Sequence, residues 1–143
     1  MASASTSDVF NCSVEEFYKI ITDYEKYPEF LSEVKSCKVL EEKDGRKLVE
    51  YHINVIKNFK YSIWLTENPT TQVSWDFAEG DMFKEMSGGW KLEDEAGKCR
   101  AHYSIEAKLG MWVPGPISKA LIEVNLPNMI SSYHKRVKEV YGK

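Results

Sequence analysis

Val49-Glu50-Tyr51-His52-Ile53-Asn54-Val55 and, shortly after, Phe59-Lys60-Tyr61-Ser62-Ile63-Trp64-Leu65 decide the fold. Successive side chains of a strand point to opposite faces, so Val49, Tyr51, Ile53 and Val55 share one face, while Glu50, His52 and Asn54 share the other. Phe59, Tyr61, Ile63 and Leu65 repeat the pattern beyond a turn near Lys57-Asn58. Two half-buried strands joined by a turn predict an antiparallel sheet.

Alternation continues outward from this pair. Toward the C-terminus, Val73, Trp75 and Phe77 follow the turn at Asn68-Pro69, and Gly80-Asp81 breaks the run. Met86, Gly88, Trp90 and Leu92 then share a face, and the interior Gly88-Gly89 predicts a bulge or bend. Past a turn at Glu95–Lys98, the last inward face is Cys99, Ala101, Tyr103, Ile105 and Ala107. Toward the N-terminus, Val39 opens a strand that ends before Asp44-Gly45, and Ser3 to Phe10 reads as an edge strand.

Two regions change period. Ser13 followed by Glu16 is a capping-box spacing, and Val14, Phe17, Ile20 and Ile21 recur at helical intervals, predicting a helix from about Ser13 to Thr22. Asp23 to Leu31, with Pro28 and three aromatic residues, predicts a short second helix or tight connection. After Pro114-Gly115-Pro116, an apolar stripe from Ile117 to Val140 predicts one long helix of ~38 Å. Pro127 in its interior predicts a kink. The fold class is α+β: a curved antiparallel sheet of six to seven strands covered by the C-terminal helix, with two short helices after the first strand.

The 143 residues fit one domain, residues 1–143. With 43% apolar and 29% charged residues, the chain is neither disordered nor membrane-embedded in composition. The formal charge of −3, with basic residues scattered, disfavours nucleic acid as a partner. Cys12, Cys37 and Cys99 are odd in number, far apart and in no metal-ligand spacing, so they read as reduced thiols of a cytoplasmic protein. The first residues carry no secretory signal pattern, and no apolar run reaches the ~20 residues of a membrane span.

Asp23-Tyr24-Glu25-Lys26-Tyr27-Pro28-Glu29-Phe30-Leu31, Gly89-Trp90-Lys91-Leu92, Gly115-Pro116-Ile117 and the basic-ended last helix together resemble the polyketide cyclase/dehydrase and lipid-transport family. The similarity spans nearly the whole chain and is closest to the coenzyme Q-binding branch and its bacterial toxin-like relatives. It implies the helix-grip fold of the START-like superfamily, with a cavity between sheet and helix. One fold of this kind hosts unrelated activities.

Within such a fold, Tyr51, Ile53, Tyr61, Ile63, Trp75, Phe77, Trp90, Tyr103, Leu121 and Met129 are the expected ligand-binding wall. Each aromatic among them also reads, with more weight, as a core residue with its hydroxyl satisfied. Tyr27, Pro28 and Phe30 read either as a mobile gate or as a plug closing one end of the sheet. Met111 and Trp112 read either as an entrance loop touching lipid or, with more weight, as a buried anchor. His52 and His102 fall on outward faces, and His134 lies among polar residues of the last helix, so all three are expected to be solvated. No catalytic residue, metal site or cofactor is expected, since no nucleophile motif, phosphate loop or metal spacing occurs.

The leading functional expectation is therefore binding and carriage of a hydrophobic small molecule, a lipid or isoprenoid quinone, with a transient membrane-surface contact left open. A cyclase or dehydratase using the tyrosines as acids is one alternative. A ribosome-associated interaction module of the toxin-like branch, using Lys135, Arg136 and Lys138, is the other.

Overall fold

The computed structural model describes residues 2–55 and 58–142, apart from the side chain of Leu121. Seven strands follow the alternation: β1 (Ala2–Phe10), β2 (Val34–Lys43), β3 (Arg46–Asn54), β4 (Asn58–Asn68), β5 (Gln72–Gly80), β6 (Phe83–Glu95) and β7 (Lys98–Leu109). All pair antiparallel in the order β1-β7-β6-β5-β4-β3-β2, so only the link from β1 to β2 crosses the sheet. The turn expected near Lys57-Asn58 falls partly outside the described residues. Tyr51 faces Tyr61 and Val49 faces Ile63 across β3 and β4, which puts both inward sets on one surface.

The crossing link is helical. Helix α1 (Val14–Ile21) starts with the capping box expected of Ser13 and Glu16: the Ser13 Oγ accepts from the Glu16 N–H at 3.1 Å, and the Glu16 carboxylate accepts from the Ser13 N–H at 2.9 Å. It buries Phe17, Ile20 and Ile21. A 3-10 turn (Tyr24–Glu29) follows and packs on β2, where the Glu25 carboxylate accepts from the Val39 N–H at 3.1 Å and caps part of that edge.

The C-terminal stripe does not form one kinked α-helix. It divides into α2 (Gly115–Lys119), a π-helical turn (Ala120–Val124) and α3 (Leu126–Tyr141), and Pro127 lies in the first turn of α3 rather than inside a continuous helix. Proline has no N–H to give to the carbonyl four residues back, so at a helix start it leaves nothing unmade. Immediately before it the ladder widens, and the Asn125 N–H donates to the Ala120 carbonyl at 3.3 Å. Helix α3 buries Ile130, Tyr133 and Val137. Its end is tied back to α1 by the Tyr141 hydroxyl, which donates to the Glu16 carbonyl at 2.9 Å.

Two local expectations need correction. The pairing of β6 with β7 runs through Gly88 and Gly89 without a break, and the irregularity lies instead between Phe83 and Glu85. What the glycines provide is closeness: a Cβ on Gly88 would sit 2.2 Å from the Ser104 carbonyl oxygen, and one on Gly89 2.6 Å from that of Val73. His134 is not simply solvated either, because its ring stacks on Phe10 at 4.3 Å and its Nε2 is 2.8 Å from Asp8 Oδ2, joining α3 to β1.

Candidate functional site

The inward faces of the strands, the 3-10 turn and the C-terminal helices enclose a cavity of about 150 Å³. Of the residues expected to form a ligand wall, Tyr51, Ile53, Tyr61, Ile63, Trp75, Trp90, Tyr103 and Met129 line it. Phe77 does not. Strand β5 is flanked by β6 only from Gln72 to Asp76, so Phe77 lies past the covered part of the sheet, half-buried against Phe83 at 6.3 Å. The side chain of Leu121 lies outside the described residues.

The wall is aromatic because consecutive strands present rings at matched register. Tyr51 and Tyr61, paired across β3 and β4, stack with centroids 5.2 Å apart and planes 8° from parallel. Trp90 and Tyr103, paired across β6 and β7, meet edge to face at 4.9 Å, and Trp75 reaches Tyr103 at 5.6 Å. From the helix side, Tyr133 meets Trp90 at 5.2 Å. Such contacts fix ring orientation and so the shape of the space between them.

Of the expected gate residues, Tyr27 lines the cavity and is buried, its hydroxyl donating to the Ile21 carbonyl. Phe30 packs edge-on against Tyr133 at 5.2 Å under the Arg136 guanidinium, and Pro28 is exposed. In the loop between β7 and α2 the buried anchor is Val113, not the two residues before it: Met111 and Trp112 are 94% and 60% exposed. Gly110 lets the Trp112 indole fold back over the chain, since a Cβ there would lie 2.5 Å from its ring nitrogen.

Several wall residues carry no clear mark in the sequence. Tyr133 belongs to the helical stripe but is not distinguished from its neighbours, and Ile122 and Asn125 reach the cavity because the π turn rotates them toward it. Glu33 sits in the link before β2, where no period exposes its direction, yet it too lines the cavity.

The electrostatics are those of a buried aromatic box. Burial is the main cause that pushes the Tyr27, Tyr51, Tyr61, Tyr103 and Tyr133 phenols above their ordinary range. Glu33 is a further cause for Tyr61, Tyr103 and Tyr133. The neighbouring Cys37 thiol is likewise pushed up to about 12 by desolvation. Phenols in this state keep their protons at neutral pH and act as hydrogen-bond donors, not bases. All three cysteines are buried, and none forms a disulfide. Among the described residues, no cluster of three or more His, Cys, Asp or Glu is placed to hold a metal ion, and no helix is long and apolar enough to cross a membrane.

Known proteins share this architecture. A START superfamily protein from Mycobacterium smegmatis superposes with a TM-score of 0.85 at 19% identity, covering 96% of this chain and 98% of that one. A Thermus thermophilus protein superposes at 0.86 and 16% identity, covering 98% and 99%. The fold is thus the helix grip, with the sheet curved around its C-terminal helix. In sequence, the chain is 27% identical to the ribosome association toxin RatA of Vibrio cholerae, over 99% of each chain. It is 28% identical to RatA of Escherichia coli K12, over 99% of this chain and 90% of that one. The sequence profile of the polyketide cyclase/dehydrase and lipid transport family matches residues 11–132, and the chain belongs to that family.

Proposed function

We propose that this protein binds and carries a hydrophobic small molecule, a lipid or isoprenoid quinone, in the cavity between its sheet and α3. The observation that supports this reading is the wall itself: apolar side chains and rigid rings, interrupted by protonated phenols able to donate to a ligand oxygen. About 150 Å³ suits one six-membered ring with small substituents. A long tail therefore has to leave the cavity, and the π turn beside it, with its widened ladder, is where the helical cover parts most readily. Exposed Met111 and Trp112 offer the surface for a transient membrane contact. Removing the ligand's apolar area from water supplies affinity at ~25 cal/mol per Å² before the costs of association.

Catalysis of the cyclase type fits less well. General acid–base chemistry uses groups poised near the working pH, and burial moves these phenols away from it.

Mass spectrometry of organic extracts from the protein purified from its native host, beside a folded Trp75→Glu variant, tests the reading. The expected result is a near-stoichiometric lipid or quinone in the wild type only. Equal loading of both would remove Trp75 from the wall, and an empty wild type would remove carriage.

A second reading, association with the ribosome, is favoured by the likeness to RatA along almost the whole chain.

A further inference from the structure

Glu33 is the only carboxylate among the described residues on the cavity wall. Its backbone is fixed by the Asn54 N–H, which donates to the Glu33 carbonyl at 2.8 Å. It lines the same cavity as Tyr61, Tyr103 and Tyr133, and its charge adds to burial in raising all three phenols. Among the described residues, no Lys, Arg or His forms an ion pair with it and no donor hydrogen-bonds to it. Glu33 is half-buried, so water can reach it in the free protein, and a ligand seated beside it would displace that water and have to donate in its place. The fold thus sets an acceptor, with no protein partner among the described residues, on the cavity wall that the phenols also line.

We infer that Glu33 selects ligands whose head group carries a hydrogen-bond donor, a hydroxyl or a protonated amine, over otherwise identical ligands that only accept. The inference rests on the carriage reading. A donor head group bonds to the Glu33 carboxylate while its oxygen accepts from a phenol, so both kinds of wall group are satisfied at once. A head group of carbonyls or ethers satisfies the phenols alone and brings its lone pairs against the carboxylate. Among quinoid molecules this favours the reduced, hydroxyl-bearing form over the oxidised one.

The test uses para-octylphenol and its methyl ether, which share ring and tail but exchange the one donor for a methyl group, titrated calorimetrically into wild type, Glu33→Gln and Glu33→Leu. Wild type is expected to bind the phenol about tenfold or more tightly than the ether, as a hydrogen bond to a charged group implies. Glu33→Leu should bring the ratio to about one by weakening the phenol and sparing the ether, with Glu33→Gln between them. Circular dichroism confirms that each variant is folded, which is expected since Glu33 is partly exposed. Equal binding of phenol and ether by wild type, or a ratio unchanged in Glu33→Leu, overturns the inference and leaves carriage standing. Failure of wild type to bind either probe overturns both.

Discussion

Asp8 and His134 show how single residues close this fold. Their hydrogen bond of 2.8 Å ties α3 to the edge strand β1, and the His134 ring lies on Phe10. That bond is the main cause holding the Asp8 carboxyl below its ordinary value of 3.8, with burial opposing it and the Val9 N–H and Arg100 adding to it. The folded state therefore releases the Asp8 proton more readily than the unfolded chain does. The stabilisation is complete above the ordinary value and is lost as pH falls through the depressed folded one. With Asp8 46% and His134 40% exposed, solvent screens the pair and its worth is under about 1 kcal/mol. Asp8→Asn should lower the stability read from urea unfolding at about pH 7 by that small amount, with the gap from wild type closing as pH falls through the depressed folded value. A gap that persists undiminished in acid would mean that the substitution acts through packing on Phe10 instead of through charge.

At the scale of elements, strand alternation is the readable signal, and it fails where the backbone departs from period two. Strand β2 begins at Val34, five residues before Val39, because irregularities between Val34 and Ser36 and between Val39 and Glu41 place its inward residues Val34, Cys37 and Val39 at uneven spacing. Glu33, just ahead of that irregular start, is illegible for the same reason. The cavity tyrosines of β3, β4 and β7 can be assigned to one face, since their registers are regular there. The helical stripe is visible in the sequence but the π turn is not, because apolar spacing does not distinguish a ladder of four from one of five. Gly88 stands out in the sequence as a bulge or bend; the pairing there carries no bulge, and the glycine permits close approach of the strands. The short distance to the Ser104 carbonyl predicts that Gly88→Ala forces β6 away from β7 and costs about 1–3 kcal/mol in chemical denaturation. Trp75 is also 3.0 Å from that Cβ position, so the shift should reach the cavity. A Gly88→Ala variant as stable as wild type would show that the strands separate without strain.

The whole molecule constrains what ribosome association would look like. The chain carries 19 basic against 22 acidic residues, and the basic end of α3 is less available than its sequence suggests. Arg136 is only 16% exposed, held by Glu29 at 2.9 Å and Glu139 at 3.6 Å above the Phe30 ring, which leaves Lys135 and Lys138 exposed on this stretch. Affinity for RNA falls with salt in proportion to the phosphates neutralised, roughly one logarithmic unit per contact per tenfold salt. The second reading thus predicts co-sedimentation with ribosomal subunits at low salt and a logarithmic salt slope no steeper than about −2, which is what two exposed lysines can neutralise. A slope of about −5 or steeper would require a basic surface beyond the two exposed lysines of α3, and absence from the subunit fractions at low salt would remove the reading. The folded Trp75→Glu variant adds the decisive comparison. Trp75 is 8% exposed and lines the cavity, so a change there leaves the outer surface in place. Association that survives an emptied cavity makes the two surfaces independent, whereas association lost with the ligand makes the bound molecule the switch for the partner.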